Sequence, residues 1–318
     1  MAEIGNDILK AQEFLERNHL VAIPTETVYG LASNAFNPIA VAKIFEAKER
    51  PTFDPLIVHT YDLKKVYDFV TEIHPSLLKL AETFWPGPLT LLLPKKEVIP
   101  NLVTSGLERV GVRIPNHPLT LNLLSQLSFP LAAPSANPFG YISPTTAVHV
   151  QKQLGEKIPY ILDGGNCKVG LESTIVGEEN GEIIIYRLGG LSIDDITLVV
   201  GKVSIQLNQS SNPKAPGQLK SHYAPKKPVY IGNNNVQYLI EELKKINDID
   251  IDISDIKTTN VSELIEELRK KYNTFDYADI TALYRFMDNI KENISQNTNR
   301  IDTDILDKMR TIHMIKQN

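Results

Sequence analysis

"LAAPSANPFGYISPTTAVHV" occupies residues 131–150 and changes character within a few positions. It opens as an apolar run suited to a buried strand. Pro134, Ser135, Asn137, Pro138, Gly140, Ser143 and Pro144 then follow before an apolar helical spacing resumes. Turn chemistry accounts for such a stretch. So does a rigid polar floor beneath a ligand, since prolines stiffen the backbone while hydroxyls and amides supply donors and acceptors. The flanking sequence has to decide.

On both sides, strand-like runs alternate with helical patterns. LVAI (20–23), PLIVH (55–59), PLTLLL (88–93), VGVRI (110–114), PLAA (130–133) and PYIL (159–162) are the strand candidates. Asn37 with Pro38 opens a helix carrying Val41, Ile44, Phe45 and Lys48 at helical spacing, and Pro51 stops it. Ser143 with Pro144 is read as the N-cap and first turn of another. Residues 173–187 read as a hairpin turning at Asn180-Gly181. This pattern predicts an α/β or α+β domain built on a mixed sheet.

From about 203 to 228 the periodicity is lost and Pro, Ser, Asn and Lys accumulate, as in a linker. Its compact phrase APGQLKSHYAP holds His222 and Tyr223, an aromatic pair that a plain spacer does not need. Beyond it, VYIG, VQYLIEELKKI, IDIDIS and VSELIEELRKKY suggest a second small α/β unit. The expected division is a larger domain at 1–204, a linker at 205–228 and a C-terminal domain at 229–318.

The chain has 318 residues, 42% hydrophobic and 22% charged, enough apolar material for two moderate cores. No apolar run approaches the ~20 residues a bilayer requires. MAEIGNDILKAQEF carries charges where a signal peptide has its apolar stretch, so a cytoplasmic location is expected. Cys167 is the only cysteine, which excludes an internal disulfide or a cysteine zinc site. A net charge of −5 argues for weak or no direct nucleic-acid binding. Most of the acid excess lies beyond residue 228, so an anion site is expected before it.

Neither G-x-G-x-x-G nor G-x-x-x-x-G-K-[ST] occurs, and the spacing around Ser173 in GLESTIVG does not make a nucleophile elbow. Any nucleotide must therefore be held by dispersed side chains. Lys48 and Arg50 in AKERP either complement a helix C-terminus or clamp a phosphate, for which a point charge and a forked guanidinium are apt. Arg113, in a strand with Val110 and Val112, is read as sharing a face with those valines and so needing an anionic partner, either ligand or structural carboxylate. Arg187 raises the same question. Thr25, Glu26, Thr27 and Tyr29 follow a strand in IPTETVYGL, where Gly30 is read as a turn. His59 closes PLIVH, where a lone histidine is more often a hydrogen-bonded structural group than a catalyst; Ser173 with Thr174 opens the hairpin and is compatible with structure or chemistry.

In order, PTETVYGL, AKERP, PLIVH, FWPGPLTLLL, VGVRIP, APSANPFGYISPT, DGG, ESTIV, YRLGG and APGxxxxHYAP resemble the threonylcarbamoyl-AMP synthases of the YrdC-like family, in their long two-domain form. The likeness covers residues 6 to 228, with 1–204 as the catalytic domain and Tyr223, beside His222, folding the 205–228 linker over the cavity as a lid. It implies a twisted, open mixed sheet around a large concave, positively lined cavity, with a smaller C-terminal α/β domain. The implied activity joins L-threonine, bicarbonate and ATP into threonylcarbamoyl-adenylate and releases pyrophosphate. A tRNA-modifying transferase complex would then take the product for the adenosine beside the anticodon.

By that resemblance, Lys48 and Arg50 are catalytic and, with Ser135, Asn137, Ser143, Arg187 and Tyr223, meet ATP. Thr25, His59, Arg113 and Ser173 surround threonine. Mg²⁺ is expected with ATP, on phosphate oxygens and water rather than on a dedicated protein metal site. Asp54 stands where the family commonly has asparagine, and Arg109 where it has a smaller residue. The rival is an RNA-binding module using the same cavity, which would need a steep salt dependence. Carbamoyl transfer, as in hydrogenase-maturation relatives with cysteine-rich segments, fits poorly with one cysteine.

Overall fold

The computed structural model describes residues 1–206. The expected lid, with His222 and Tyr223, and the C-terminal domain lie outside the described residues. In chain order the elements are β1 (Glu3–Gly5), α1 (Ile8–Glu16), β2 (Val21–Ile23), β3 (Gly30–Asn34), α2 (Pro38–Lys48), β4 (Ile57–His59), α3 (Leu63–Val66), α4 (Pro75–Phe84), β5 (Leu89–Pro94) and α5 (Asn101–Thr104). They continue with β6 (Arg109–Arg113), α6 (Pro118–Gln126), β7 (Leu131–Ala132), α7 (Ala147–Leu154), β8 (Tyr160–Leu162), β9 (Thr174–Glu179), β10 (Glu182–Arg187), α8 (Ile193–Val200) and β11 (Val203–Ile205).

The strands form an open sheet in the order β1-β8-β2-β3-β7-β4-β6-β5-β9-β10-β11. Parallel pairs such as β4/β6 and β5/β9 mix with antiparallel ones such as β5/β6 and β9/β10. Alternation along the strands decides the two faces. Leu89, Leu91, Leu93, Val58, Val110, Val112 and Val176 join the main core. Ile57, Leu92, Ile175, Ile184 and Tyr186 gather separately on the other side. There, at the β2/β3/β7/β8 end, Leu15 of α1 and Leu123 of α6 pack a further cluster with Val21, Ile23 and Leu131.

Helix α2 forms as its sequence predicts. Asn37 caps it by accepting from the Ile39 and Ala40 amides, and Pro38 sits in the first turn. Its end is set by Glu49, which adopts φ 54° and returns its amide to the Phe45 and Glu46 carbonyls. The hairpin turns where expected, with Asn180 at φ 54° and Gly181 at φ 84°.

Four expectations are corrected. Gly30 is no turn; it begins β3, where it pairs with Ile23 of β2. Ser143 does not cap α7, because its hydroxyl is engaged by Glu172 and the helix starts later, with Thr146 accepting from the His149 amide. Arg113 does not share a face with Val110 and Val112, since residues an odd number apart in a strand point oppositely. Finally, Val203–Ile205 is not yet linker, because it pairs in parallel with β10. Among the described residues no helix is long and apolar enough to cross a membrane.

Candidate active site

A cavity opens on the face opposite the main core. Strand ends converge on it. His59 ends β4 and Arg113 ends β6, and the two are paired neighbours in register. Ser173 directly precedes β9, and Arg187 ends β10. Arg187 gets there by an irregularity. Strict alternation would place it on the core side with Ile185, but the register shifts between them, and such a bulge re-aims the following side chain.

The opening stretch is a floor. After β7, Ala133, Pro134 and Ser135 line the cavity beside Gly30 and Ile57. Gly30 bridges Ser135, and a Cβ at Gly30 would press to 3.3 Å from the Ala133 Cβ, so a larger residue would lift the floor. Lys48 fastens this segment from behind. Its ammonium donates to the Ser135 carbonyl at 2.6 Å and to the Asn137 carbonyl, while the Phe139 amide donates to the Lys48 carbonyl at 2.7 Å. Burial pushes the Lys48 pKa well below its usual value, Arg50 adds to this, and Asp54 opposes it.

Arg50 reaches the cavity wall with only 7% of its surface exposed. It donates from Nε to the Asp54 carbonyl at 3.1 Å and from Nη2 to the Pro55 carbonyl at 2.7 Å. Nη2 also lies 2.9 Å from the Asp54 carboxylate, and the guanidinium sits 5.8 Å from the Phe139 ring centroid. Arg113 donates from Nε to the Gly87 carbonyl at 3.2 Å and pairs through Nη2 with Glu26 at 2.8 Å. The other Glu26 oxygen accepts from the Asn116 amide at 2.9 Å. The anionic partner that Arg113 demanded is thus a structural carboxylate, from the loop between β2 and β3.

Thr25 organises the loop between β2 and β3. Its hydroxyl donates to the Val28 carbonyl at 2.7 Å and accepts from the Thr27 and Val28 amides. Ser173 Oγ lies 2.7 Å from Thr90 Oγ1 and accepts from Arg187 at 3.0 Å. His59 is 3% exposed, and burial together with the Arg113 charge lowers its pKa to about 3, so the ring is neutral at ordinary pH.

Of the residues singled out from sequence, Thr25, Arg50, His59, Arg113, Ser135, Ser173 and Arg187 line one cavity. Lys48, Asn137 and Ser143 do not; Lys48 and Asn137 lie beneath the floor, and Ser143 stands behind Glu172. Tyr223 lies outside the described residues. Sequence reasoning passed over Glu172, which is the one carboxylate among the described lining residues. Its signal was its position immediately before Ser173. Among the described residues no group of three His, Cys, Asp or Glu side chains is placed to hold a metal.

Residues 13–189 match the family model Sua5_yciO_yrdC, described as "Telomere recombination". Residues 191–304 match the model described as "Threonylcarbamoyl-AMP synthase, C-terminal domain". The threonylcarbamoyl-AMP synthase of Pyrococcus abyssi is 42% identical over 240 residues, covering 73% of this chain and 71% of that protein. The Bacillus subtilis protein of the same name is 41% identical over 245 residues, covering 75% and 71%. The crystal structure of P. abyssi Sua5 complexed with L-threonine superposes with a TM-score of 0.71 at 37% identity, covering 84% of this chain and 86% of that one.

Proposed function

The chain belongs to the Sua5/YciO/YrdC family of threonylcarbamoyl-AMP synthases, and from that premise we propose how its own cavity makes the product. The enzyme is a nucleotidyltransferase that uses L-threonine and yields the intermediate for threonylcarbamoyl modification of tRNA. Bicarbonate and ATP are the proposed co-substrates, pyrophosphate the proposed by-product and a tRNA-modifying transferase complex the proposed recipient. One observation carries this reading: three buried guanidiniums, from distant parts of the chain, meet at one cavity that also holds Thr25, His59 and Ser173.

We assign Arg50 and Arg187 to the triphosphate, where fixed cations in a poorly hydrated site stabilise charge gathering around the α-phosphorus. Arg113 faces the threonine carboxylate, with Glu26 holding the guanidinium in register. Thr25, Ser173 and the neutral His59 supply hydrogen bonds to the amino acid. Ser135 meets the nucleotide directly. Lys48, Asn137 and Ser143 act through the floor and wall they brace. Mg²⁺ would enter with ATP and be held by phosphate oxygens and water, since the described residues offer no carboxylate cage for it. The ion would offset phosphate charge.

The RNA-gripping alternative is set aside on geometry. A phosphate backbone is bound by exposed cations along a surface. Here Arg50, Arg113 and Arg187 are 7%, 4% and 8% exposed at the base of a compact cavity. The test is pyrophosphate release from ATP with threonine and bicarbonate each present or withheld, with mass spectrometry of the adenylate. Release that requires both substrates is expected. Equal release without threonine refutes the proposal.

A further inference from the structure

Glu172 is unexplained by anything above. Asp54 already serves Arg50, and Glu26 already serves Arg113. Glu172 joins no ion pair among the described residues, so it is not there to neutralise an arginine. Yet it lines the cavity, and the fold holds it there firmly. Its carbonyl accepts from the Gly190 amide at 2.8 Å, and Gly189 packs so closely on that carbonyl that a side chain at 189 would collide with it. One carboxylate oxygen, Oε1, accepts from the Ser143 hydroxyl. Oε2 has no hydrogen-bond partner among the described residues. The next residue, Ser173, is fixed by Thr90 and Arg187.

A carboxylate lining a cationic cavity without a cation of its own suits a substrate that brings one. On the reading above, threonine brings an ammonium. We propose that Glu172 receives that amino group and accepts the proton released when the carbamate forms. The balance requires such an acceptor. Threonine enters as R–NH₃⁺ and leaves as R–NH–CO₂⁻, so nitrogen loses two protons. The first passes to bicarbonate, whose C–OH bond breaks to give water and carbon dioxide. The amine lone pair then forms the N–C bond, and the second proton moves to the Glu172 carboxylate. Charge and atoms balance with no further reactant. The Ser143 hydrogen bond holds the carboxylate oriented until then.

This inference rests on the proposed reaction, and the two fail differently. The wild-type requirement for threonine and bicarbonate tests the reaction itself. Glu172 is tested with Glu172→Gln, which keeps shape but cannot take up the proton, assayed in both directions in one preparation. Running backwards, threonylcarbamoyl-AMP with pyrophosphate regenerates ATP and a carbamate that decomposes in water, so that direction needs no proton acceptor at the nitrogen. We expect forward product formation to fall about 100-fold or more, while ATP formation from product and pyrophosphate stays within about threefold of wild type. The retained reverse activity also establishes that the variant is folded. If the ratio of forward to reverse activity is unchanged, whether both rates hold or both fall, Glu172 is no proton acceptor; a parallel fall would instead place it at the phosphate step, as a ligand to the nucleotide's metal would be.

Discussion

At the scale of single residues, the site is a set of cations each steadied by something that is not substrate. Arg50 and Asp54 are the sharpest case, both almost wholly buried and 2.9 Å apart. A carboxylate there orients the guanidinium but also shares its charge, so an incoming phosphate must compete with it. Asp54→Asn keeps the size and a polar contact while removing that competitor. We expect the KM for ATP to fall severalfold and the protein to lose about 1 to 3 kcal/mol of stability, measured by steady-state titration and urea unfolding. His59 gives a pH signature. Its folded pKa is about 3, against about 6.5 free. Below pH 6.5 the unfolded chain takes up a proton that the folded chain refuses, so stability is intact above that pH and declines towards pH 3. Between pH 6.5 and 5 this amounts to about 1.5 kcal/mol, and His59→Gln should flatten the slope of unfolding free energy by that much. The lining threonine, histidine, serines and arginines were legible in short motifs. Their partners were not, because Glu26 and Arg113 are 87 positions apart in sequence and only folding brings them to 2.8 Å.

At the scale of elements, legibility followed side-chain content. Runs such as LTLLL and VGVR announce strands because alternate positions are apolar, and the hairpin announces itself by Asn180-Gly181. β1, β3 and β11 were missed for a physical reason: GLASN of β3 is small and polar, and it is a strand because β2 and β7 flank it, not by its own propensity. The bulge that turns Arg187 towards the cavity was equally invisible, being a matter of register between two strands. The link between α2 and the floor belongs at this scale too. Lys48 ends the helix and holds two floor carbonyls, so it transmits the position of α2 to residues 135–139. Lys48→Met keeps the stem and strands those carbonyls without a donor, costing about 1 to 3 kcal/mol for each. Amide hydrogen exchange should quicken at Ala136 and Phe139, and ATP affinity should drop at least tenfold while threonine affinity changes less. Unchanged exchange at both amides would mean that the floor stands without Lys48.

For the whole molecule, an acidic chain with a cationic cavity makes a prediction about salt and heat together. The net charge of −5 keeps extended polyanions at a distance, whereas a compact triphosphate can reach the buried arginines. Because those arginines are shielded from bulk ions, their attraction is screened far less than that of exposed charges. ATP affinity should therefore decline only severalfold between about 0.05 and 0.3 M salt, where a backbone-tracking RNA binder with six or more phosphate contacts would lose at least about a thousandfold. The same binding must appear as stability. A ligand that binds only the folded state at about 100 times its Kd contributes ~2.7 kcal/mol, which for a catalytic domain of this size raises Tm by about 5 to 10 °C. Thermal unfolding with and without ATP, at both salt concentrations, reads the two effects at once. A shift that vanishes at the higher salt would locate the nucleotide on the exposed surface and empty the cavity of its assigned role.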